Sequence, residues 1–556
     1  MKIDPVTVQI LRNRIGCLME EMSHHFFRSG YSTIIRESRD FSCVIIDAEG
    51  RLISSPPMFY HATSYYYLAR KIMALYGRDN LAEGDIFVSN HPYEGFTPHA
   101  PDMAIMAPII VDGELVGFSA AIAHKADIGG TVAGSSYGSA TEMFQEGLMV
   151  PPIRLYAGGR LLPDIERVIA ANSRQPRLVL GDMRSQTGAV MIGRDRIAEI
   201  AREIGAAQLK AALDEMISSA GYEMQAAFAC LADGGSKAEG FLDNDGEHNN
   251  PPVRMHVAVQ VRGGHVTFDF SDSDPQARTP VNLRMPLVEA CCFHALIGLM
   301  DPALRYSDAA RSLVTIVAPE GSVVNAQPPA PCSSYMKSCQ RLIDVVIEAL
   351  NPFFPARAAA NAGGSGGSIV VAFGAGERQV HHNQHEIFGS AYGGTATQDG
   401  ASGVTVHLSN IYVTPIEIVE SEFPCRVTRF ELIPNSGGDG EFRGGLSFRR
   451  EYEVQQPAVV LYRGDKTKFA PNGVAGGAPG RRSRFLFQPG QPDEKQMPAN
   501  CRVELKAGQR YRIEAPAGGG YGDPVKRDVE ARRRDVEDGY VSVDSANVQN
   551  IQKPSS

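Results

Sequence analysis

A chain of 556 residues with 43% apolar and 21% charged side chains is long enough for roughly two or three domains with real cores, and its composition argues against intrinsic disorder. The 54 basic residues against 63 acidic ones leave a net charge of −9, with no basic stripe beyond ARRRD near Arg532, which argues against nucleic acid as the main partner. Nine scattered Cys without a C-x-x-C spacing suggest reduced thiols; with no signal-peptide pattern and no run of about 18 apolar residues, the expectation is a soluble cytoplasmic protein with no membrane partner.

Asp4-Pro5 reads as a helix start, a capping carboxylate followed by Pro at the first helical position. Val8, Leu11, Ile15, Leu18, Met22 and Phe26 then recur at helical spacing and predict one core-facing stripe. In RESRDFSCVIIDAEGRLISS the β-branched residues flanking Asp47-Ala48-Glu49-Gly50 predict a hairpin. Glu37 and Asp40 stand just before its first strand, either solvated or turned inward; the local pattern leaves both open. His61 precedes a predicted helix with Thr63 or Ser64 as its cap.

Gly84-Asp85 leads into the strand IFVSN, and MAIMAPIIVDGELVGFSAAIAH predicts two strands joined across Val111-Asp112-Gly113-Glu114. This hairpin gives meaning to a repeated pattern, His99-Ala100-Pro101-Asp102 and His124-Lys125-Ala126-Asp127. Antiparallel pairing brings Asp102 and His124, each about ten residues from the turn, to the same open end. Imidazole nitrogens and carboxylate oxygens converging in this way suit a divalent metal, zinc most often, with manganese or iron as alternatives.

The Gly/Ser-rich loop from Gly129 to Glu146 is expected to be either a substrate cover or a surface connection. From Asp195 to Leu231 an amphipathic pattern predicts a long helical region, with a slip after Ile204 and a break near Gly221. Residues 253–270 predict a second hairpin around Gly263-Gly264, and MPLVEACCFHALIGLM a buried helix in which His294 is a core residue. The Gly-rich runs at 362–367 and 518–520 lack the following Gly-Lys-Ser/Thr of a phosphate loop. The polar run HHNQH at 381–385 has no partner at a metal-ligand spacing. From about Tyr412 short strands between Gly/Pro/Asn turns predict a β-rich domain, followed after Asp528 by a charged helix. The expected architecture is multi-domain α+β, mixed α/β with a β-rich C-terminal part: 1–190 carrying the metal site with the first helix and antiparallel strands, 191–411 helical and mixed, and 412–556 β-rich with a helical tail.

The order of motifs resembles the hydantoinase B/oxoprolinase family along nearly the whole chain. The likeness is carried by RESRDFSCVIIDAEGRLIS, the segment ending in His99 to Asp102, AHKADIGG, QEGLMVPP, PEGSVVN with PPAPC, GGTATQDGASG, NIYVTPIEIVE, GGDGEFRGGLSFRREY, PNGVAGGAPG and GGGYGDPVKRDVEARRRDVEDGYVS. It implies a metal-bearing subunit of a hetero-oligomer whose hydantoinase A-type partner binds and cleaves ATP. The pair would open a small cyclic amide such as a hydantoin, 5-oxoproline or a lactam after phosphoryl activation in the partner. A related branch carboxylates acetone or acetophenone, and a non-catalytic scaffold for the ATP-binding subunit is a third reading. The resemblance implies His99, Asp102 and His124 as metal ligands, with Asp40 as a further ligand or the base on the metal-bound water; Asp127 is assigned a supporting place. Two departures stand out: the segment before His99, where Phe96 and an inserted Pro98 change the rim, and FYHATSYYYL, which has more Tyr than is usual after the family's His. Relatives typically carry Asn-Asp-Pro-Tyr and then Gly-Gly-Thr-His, where this chain has Asn90-His91-Pro92-Tyr93 and Gly95-Phe96-Thr97-Pro98-His99, so the identity of the substrate stays open.

Overall fold

In the computed structural model, which describes residues 3–56, 58–301, 303–374 and 382–542, the first helix forms as its stripe requires. Helix α1 spans Pro5–Ser29, the Asp4 carboxylate accepts the Thr7 backbone N–H, and Val8, Leu11, Ile15, Leu18, Met22 and Phe26 are all buried. There follow α2 (Thr33–Arg36), β1 (Phe41–Asp47), α3 (Tyr60–Tyr76), β2 (Ile86–Ser89), β3 (Asp102–Val111), β4 (Glu114–His124), β5 (Ile153–Ala157), β6 (Arg160–Leu161), α4 (Pro163–Ala171), α5 (Pro176–Ile204) and α6 (Ala206–Ala229). The six strands form one sheet in the order β1-β4-β3-β2-β5-β6, with every pair antiparallel. Along β1, β4 and β3 the side chains of Cys43, Ile45, Ala121, Ala123, Met103 and Ile105 join the stripes of α1, α5 and α6 in one apolar core. Alternation sends Ser42, Ile122 and Ala104 to the opposite face, where α3 lies and Ser42 Oγ meets Tyr65.

The expected β3–β4 hairpin is present: Asp112 (φ 53°) and Gly113 (φ 80°) take the left-handed pair that a two-residue turn matching strand twist needs. The first expected hairpin is only half formed. β1 pairs with β4, and beyond the turn a single bridge, Ile46 with Leu52, remains. The Leu52 N–H is taken by the Asp308 carboxylate, and Pro56 has no N–H to extend a ladder. α3 also starts earlier than expected, at Tyr60, so His61 sits in its first turn and neither Thr63 nor Ser64 caps it. The helical region after Asp195 breaks at Gly205 (φ 93°) and not near Gly221. Gly221 lies inside α6 because a Cβ there would sit 2.5 Å from that of Ala309.

The chain folds into two compact units, Met1–Gly235 with Val257–Tyr335 and Leu408–Tyr412, and Ser236–His256 with Met336–His407 and Val413–Ser556. The first also holds the expected buried helix, Met285–Met300, and the hairpin turning at Gly263-Gly264. The second is β-rich. A four-stranded sheet (His382–Ile387, Ser368–Phe373, Ala458–Arg463, Asn500–Leu505) and a five-stranded sheet (Cys425–Leu432, Phe448–Val454, Arg510–Glu514, Arg484–Phe487, Lys495–Met497) share a core in which Tyr452 stacks on Tyr511 and Tyr462 on Phe485. His381 of the HHNQH run lies outside the described residues, whereas His385 is on a strand. The charged helix expected after Asp528 is Val529–Glu537.

The Gly-rich runs of the second unit have a packing role. Gly438 N–H donates to Gly518 O, Gly518 N–H to Gly445 O, Gly394 N–H to Gly519 O and Gly520 N–H to Ala478 O, so backbone lies directly on backbone. A Cβ on Gly518 would stand 1.9 Å from Tyr392 O, closer than any non-bonded contact allows. Gly518→Ala should therefore lower stability by about 3 kcal/mol, the upper end for overpacking. The denaturation midpoint of the purified variant checks this, and an unchanged midpoint would show that the segments can move apart.

Candidate metal centre

Three strands bring the centre together at one end of the sheet. Asp102 opens β3, His124 closes β4, and the two are direct cross-strand partners. Asp40 precedes β1, and its carbonyl accepts the His124 backbone N–H, which puts it beside His124 in the next register position. Strand alternation places Asp40, His124 and Asp102 on the α3 face, the face of Ser42 and Ile122. His99 joins from the turn before β3, where the Asp102 N–H donates to its carbonyl.

The side chains converge tightly. His99 Nε2 lies 3.2 Å from His124 Nδ1, and each is 3.3 Å from Asp102 Oδ1. Asp40 Oδ2 is 4.0 Å from His124 Nδ1. All four residues are buried. The orientation of His99 is set from outside the cluster: its Nδ1 is 3.1 Å from Ser333 O, a carbonyl that can only accept. Nδ1 therefore carries the proton, and Nε2 of the neutral ring turns a lone pair inward. Glu146 Oε1 in turn accepts the N–H groups of Cys332 and Ser333, holding that carbonyl in place. Asp102 Oδ2 accepts the Tyr335 hydroxyl at 3.3 Å and lies 3.9 Å from His61 Nε2, whose Nδ1 is 2.8 Å from Ser42 Oγ.

Protein groups alone drive the two carboxyls apart. Burial raises both; for Asp102 the neighbouring imidazoles, His99 foremost, outweigh it and hold the group well below the usual carboxylate range. For Asp40 burial wins over His124, with Asp102 adding to the rise, and pushes it up to about 7. The cluster thus offers one firmly ionised carboxylate beside one that exchanges a proton near neutrality.

The donor set fits a divalent cation. His99 Nε2, His124 Nδ1 and Asp102 Oδ1 are three acceptor-capable atoms with at most one proton between them, and the ligand atoms of these residues all lie within 4.8 Å of one another. Two imidazoles and a carboxylate with a second carboxylate alongside are what zinc, manganese or iron take.

Asp127 does something else. Its carboxylate accepts the N–H groups of Gly129, Gly134 and Arg174 and an Arg174 guanidinium nitrogen, so it ties down the loop that begins at Gly129. Lys125, also buried, points to the helix side and donates to Gln186 Oε1, while Gln186 Nε2 spans the carbonyls of Met103 and Ala121. Burial lowers this ammonium to about 8. The departure at Phe96 lies in the loop that leads to His99. Phe96 holds φ 58°, a left-handed conformation that favours the Gly of the family pattern, and its ring packs 5.2 Å from that of Tyr67. Buried Arg284 donates to the carbonyls of Pro92, Thr97 and Pro98 and so clamps the loop that delivers His99. Tyr335, Ser333, His61, Glu146 and Arg284 were not assigned to the site from sequence. They lie up to 234 positions from their partners, and nothing in local spacing marks them.

A mixed α/β chain with a buried His/Asp cluster at the end of an antiparallel sheet is therefore the class of protein that fold and site define. Residues 4–524 match the hydantoinase B/oxoprolinase family model, and the chain belongs to that family. It is 31% identical to the B component of a putative D-/L-hydantoinase from Pseudomonas sp. (strain NS671), over 99% of this chain and 95% of that one. It is 27% identical to the beta chain of the caprolactamase of Pseudomonas jessenii, over 98% and 96%. Its fold is that of the ATP-dependent caprolactamase crystal structure from Pseudomonas jessenii, with a TM-score of 0.90 at 24% identity over 98% of this chain and 96% of that one. Acetone carboxylase shares the fold more distantly, with a TM-score of 0.85 at 18% identity over 98% and 79%. No helix among the described residues is long and apolar enough to cross a membrane.

Proposed function

We propose that this chain is the metal-bearing subunit of a two-component, ATP-dependent cyclic amidohydrolase, opening a hydantoin, 5-oxoproline or lactam ring that an ATP-binding partner has activated. The observation that carries this reading is the convergence of Asp40, His99, Asp102 and His124 at one buried end of the sheet. Two relatives, one named as a component of a hydantoinase and the other as a component of a caprolactamase, support both the cyclic amide and the existence of a partner. Likeness to acetone carboxylase is a likeness of fold, so the hydrolase is preferred over the ketone carboxylase.

His99, Asp102 and His124 would hold the cation, with Asp40 as a fourth ligand or as a base. When bound, a zinc, manganese or iron ion supplies Lewis acidity that brings the pKa of water toward ~7. The chain's own groups do the rest. Asp40, balanced near neutrality by burial, takes a proton from the attacking water. Asp102 stays ionised, with its second oxygen fixed by Tyr335. His99 is kept in one tautomer by Ser333, and burial of the whole cluster excludes bulk water. The activated ring is a better electrophile than a plain amide, which is the part assigned to the partner and ATP.

Co-purifying the chain with its partner and offering hydantoin, 5-oxoproline and caprolactam with ATP tests the reading. Ring opening that needs ATP and both chains is expected; uptake of labelled bicarbonate into a ketone without ring opening would replace it with the carboxylase. The support of His99 gives a separate prediction. Glu146→Ala should weaken metal retention by about 10–100-fold in a chelator competition, because the Ser333 carbonyl loses its anchor. Retention equal to the parent would show that Ser333 is held by other contacts.

A further inference from the structure

We propose that Arg39 and the cleft along the outer edge of β1 form a binding site for a small organic carboxylate, the group that opening a cyclic amide creates. This rests on the hydrolase reading for the identity of the ligand, though not for the site itself. β1 is the outermost strand of its sheet, and beside it lies a cleft of about 490 Å³, a volume suited to a small ligand.

Arg39 presents an unusual donor to this cleft. Its guanidinium carbon lies over the Phe27 ring at 4.2 Å from the centre and over the Tyr412 ring at 4.8 Å, so the cation sits against two aromatic faces. A cation–π contact of this kind takes none of the guanidinium N–H groups as a hydrogen-bond donor to an oxygen. Among the described residues no carboxylate pairs with the guanidinium and no acceptor takes its N–H groups. A charged, planar, prepositioned fork is matched by a planar anion with two oxygens, and a carboxylate accepts it in two parallel hydrogen bonds.

The site is also joined to the metal centre. Arg39 has φ 52°, a left-handed backbone rare for a side chain of its size, and this separates two consecutive residues: Arg39 goes to Phe27 and Tyr412 while Asp40 goes to His124. Ser42 lines the same cleft, with its Oγ 2.8 Å from His61 Nδ1, and His61 reaches toward Asp102. Glu20 of α1 lines it as well, and suits an ammonium or amide N–H of the ligand better than a second carboxylate. Asn410 supplies a neutral polar wall. These features describe the ring-opened product, an amino acid or carbamoyl amino acid, and disfavour the neutral ring.

Isothermal titration of the full chain reads this without turnover. The probes are 6-aminohexanoate and N-carbamoylglycine, with caprolactam and hydantoin as their neutral rings and bicarbonate as a small inorganic alternative. We expect both carboxylates to bind at least tenfold more tightly than the rings, Arg39→Gln to abolish that preference, and Arg39→Lys to weaken it several-fold. His99→Ala should leave it intact. Tyr412→Leu, at a position 53% exposed, removes one stacking ring and should weaken binding even if Arg39→Gln does not fold. The proposal is overturned if Arg39→Gln binds like the parent, if His99→Ala abolishes binding, if bicarbonate alone binds, or if no probe binds. An assembled complex that opens no ring would remove the hydrolase reading and leave the titration result standing.

Discussion

His99→Ala should empty the proposed metal centre and silence ring opening by the assembled complex. The variant loses one of the three proposed ligand atoms, which lie within 3.3 Å of their neighbours, and the remaining carboxylate and imidazole would form a two-point site that holds a divalent ion poorly. The expected result is a fall in metal per chain from near one to near none, with turnover of the assembled complex reduced by about three orders of magnitude or more, since metal charge stabilisation is worth several kcal/mol. Elemental analysis of the purified variant and an ATP-coupled ring-opening assay give the two readings. Full metal content with full turnover would sink the proposed centre. Loss of turnover with full metal content would move His99 from ligand to another catalytic duty.

A second large effect is expected far from the centre in sequence, at Asp344 on the helix Tyr335–Leu350. This fully buried carboxylate accepts Lys466 Nζ at 2.7 Å, the Ala362 N–H at 3.0 Å and lies 3.0 Å from His407 Nε2, while Lys466 also donates to Ala362 O. Asp344→Ala would leave a buried ammonium without its counter-charge, and breaking a buried pair from one side costs about 3–5 kcal/mol. Chemical denaturation of the full chain at neutral pH checks this. The pH dependence has a definite sign. Burial raises the Asp344 carboxyl, but Lys466 and His407 outweigh it and hold the group well below its ordinary value. Folding therefore favours the ionised form; the stabilisation is complete above about pH 4 and fades as the pH falls toward the lower folded value. The gap in stability between parent and variant should shrink in acid, and a gap that widens would assign the carboxylate a different partner.

Much of the first sheet was legible because its signals are local. Asp112-Gly113 marks a two-residue turn by its backbone demands, and period-two alternation then dictates that Asp102 and His124 share a face. The first hairpin forms only in part because the same β-branched pattern serves β1 whether its partner is the next segment or β4, some 75 residues on; pairing is decided by the sheet and not by the strand. Likewise Gly221 looks like a helix break in sequence and is a point of close helix contact in space. The Gly-rich runs could be denied a phosphate role from their missing Lys-Ser/Thr, yet their use as bare backbone packed on backbone depends on five distant segments meeting.

What the amino-acid order by itself determined is the set of chemical groups and their local geometry: the stripe of α1, the turn that pairs Asp102 with His124, and imidazoles and carboxylates of the kind that suit a cation. Tertiary structure decided which of these groups act together. It brought Asp40 alongside His124 through strand pairing, turned Asp127 to its loop, and supplied Ser333, Tyr335, Glu146 and His61 from other parts of the chain. It also set Asp40 near neutrality and Asp102 far below it. A carboxyl's pKa depends on burial and on charges a few ångströms away, and neither is a property of sequence neighbours.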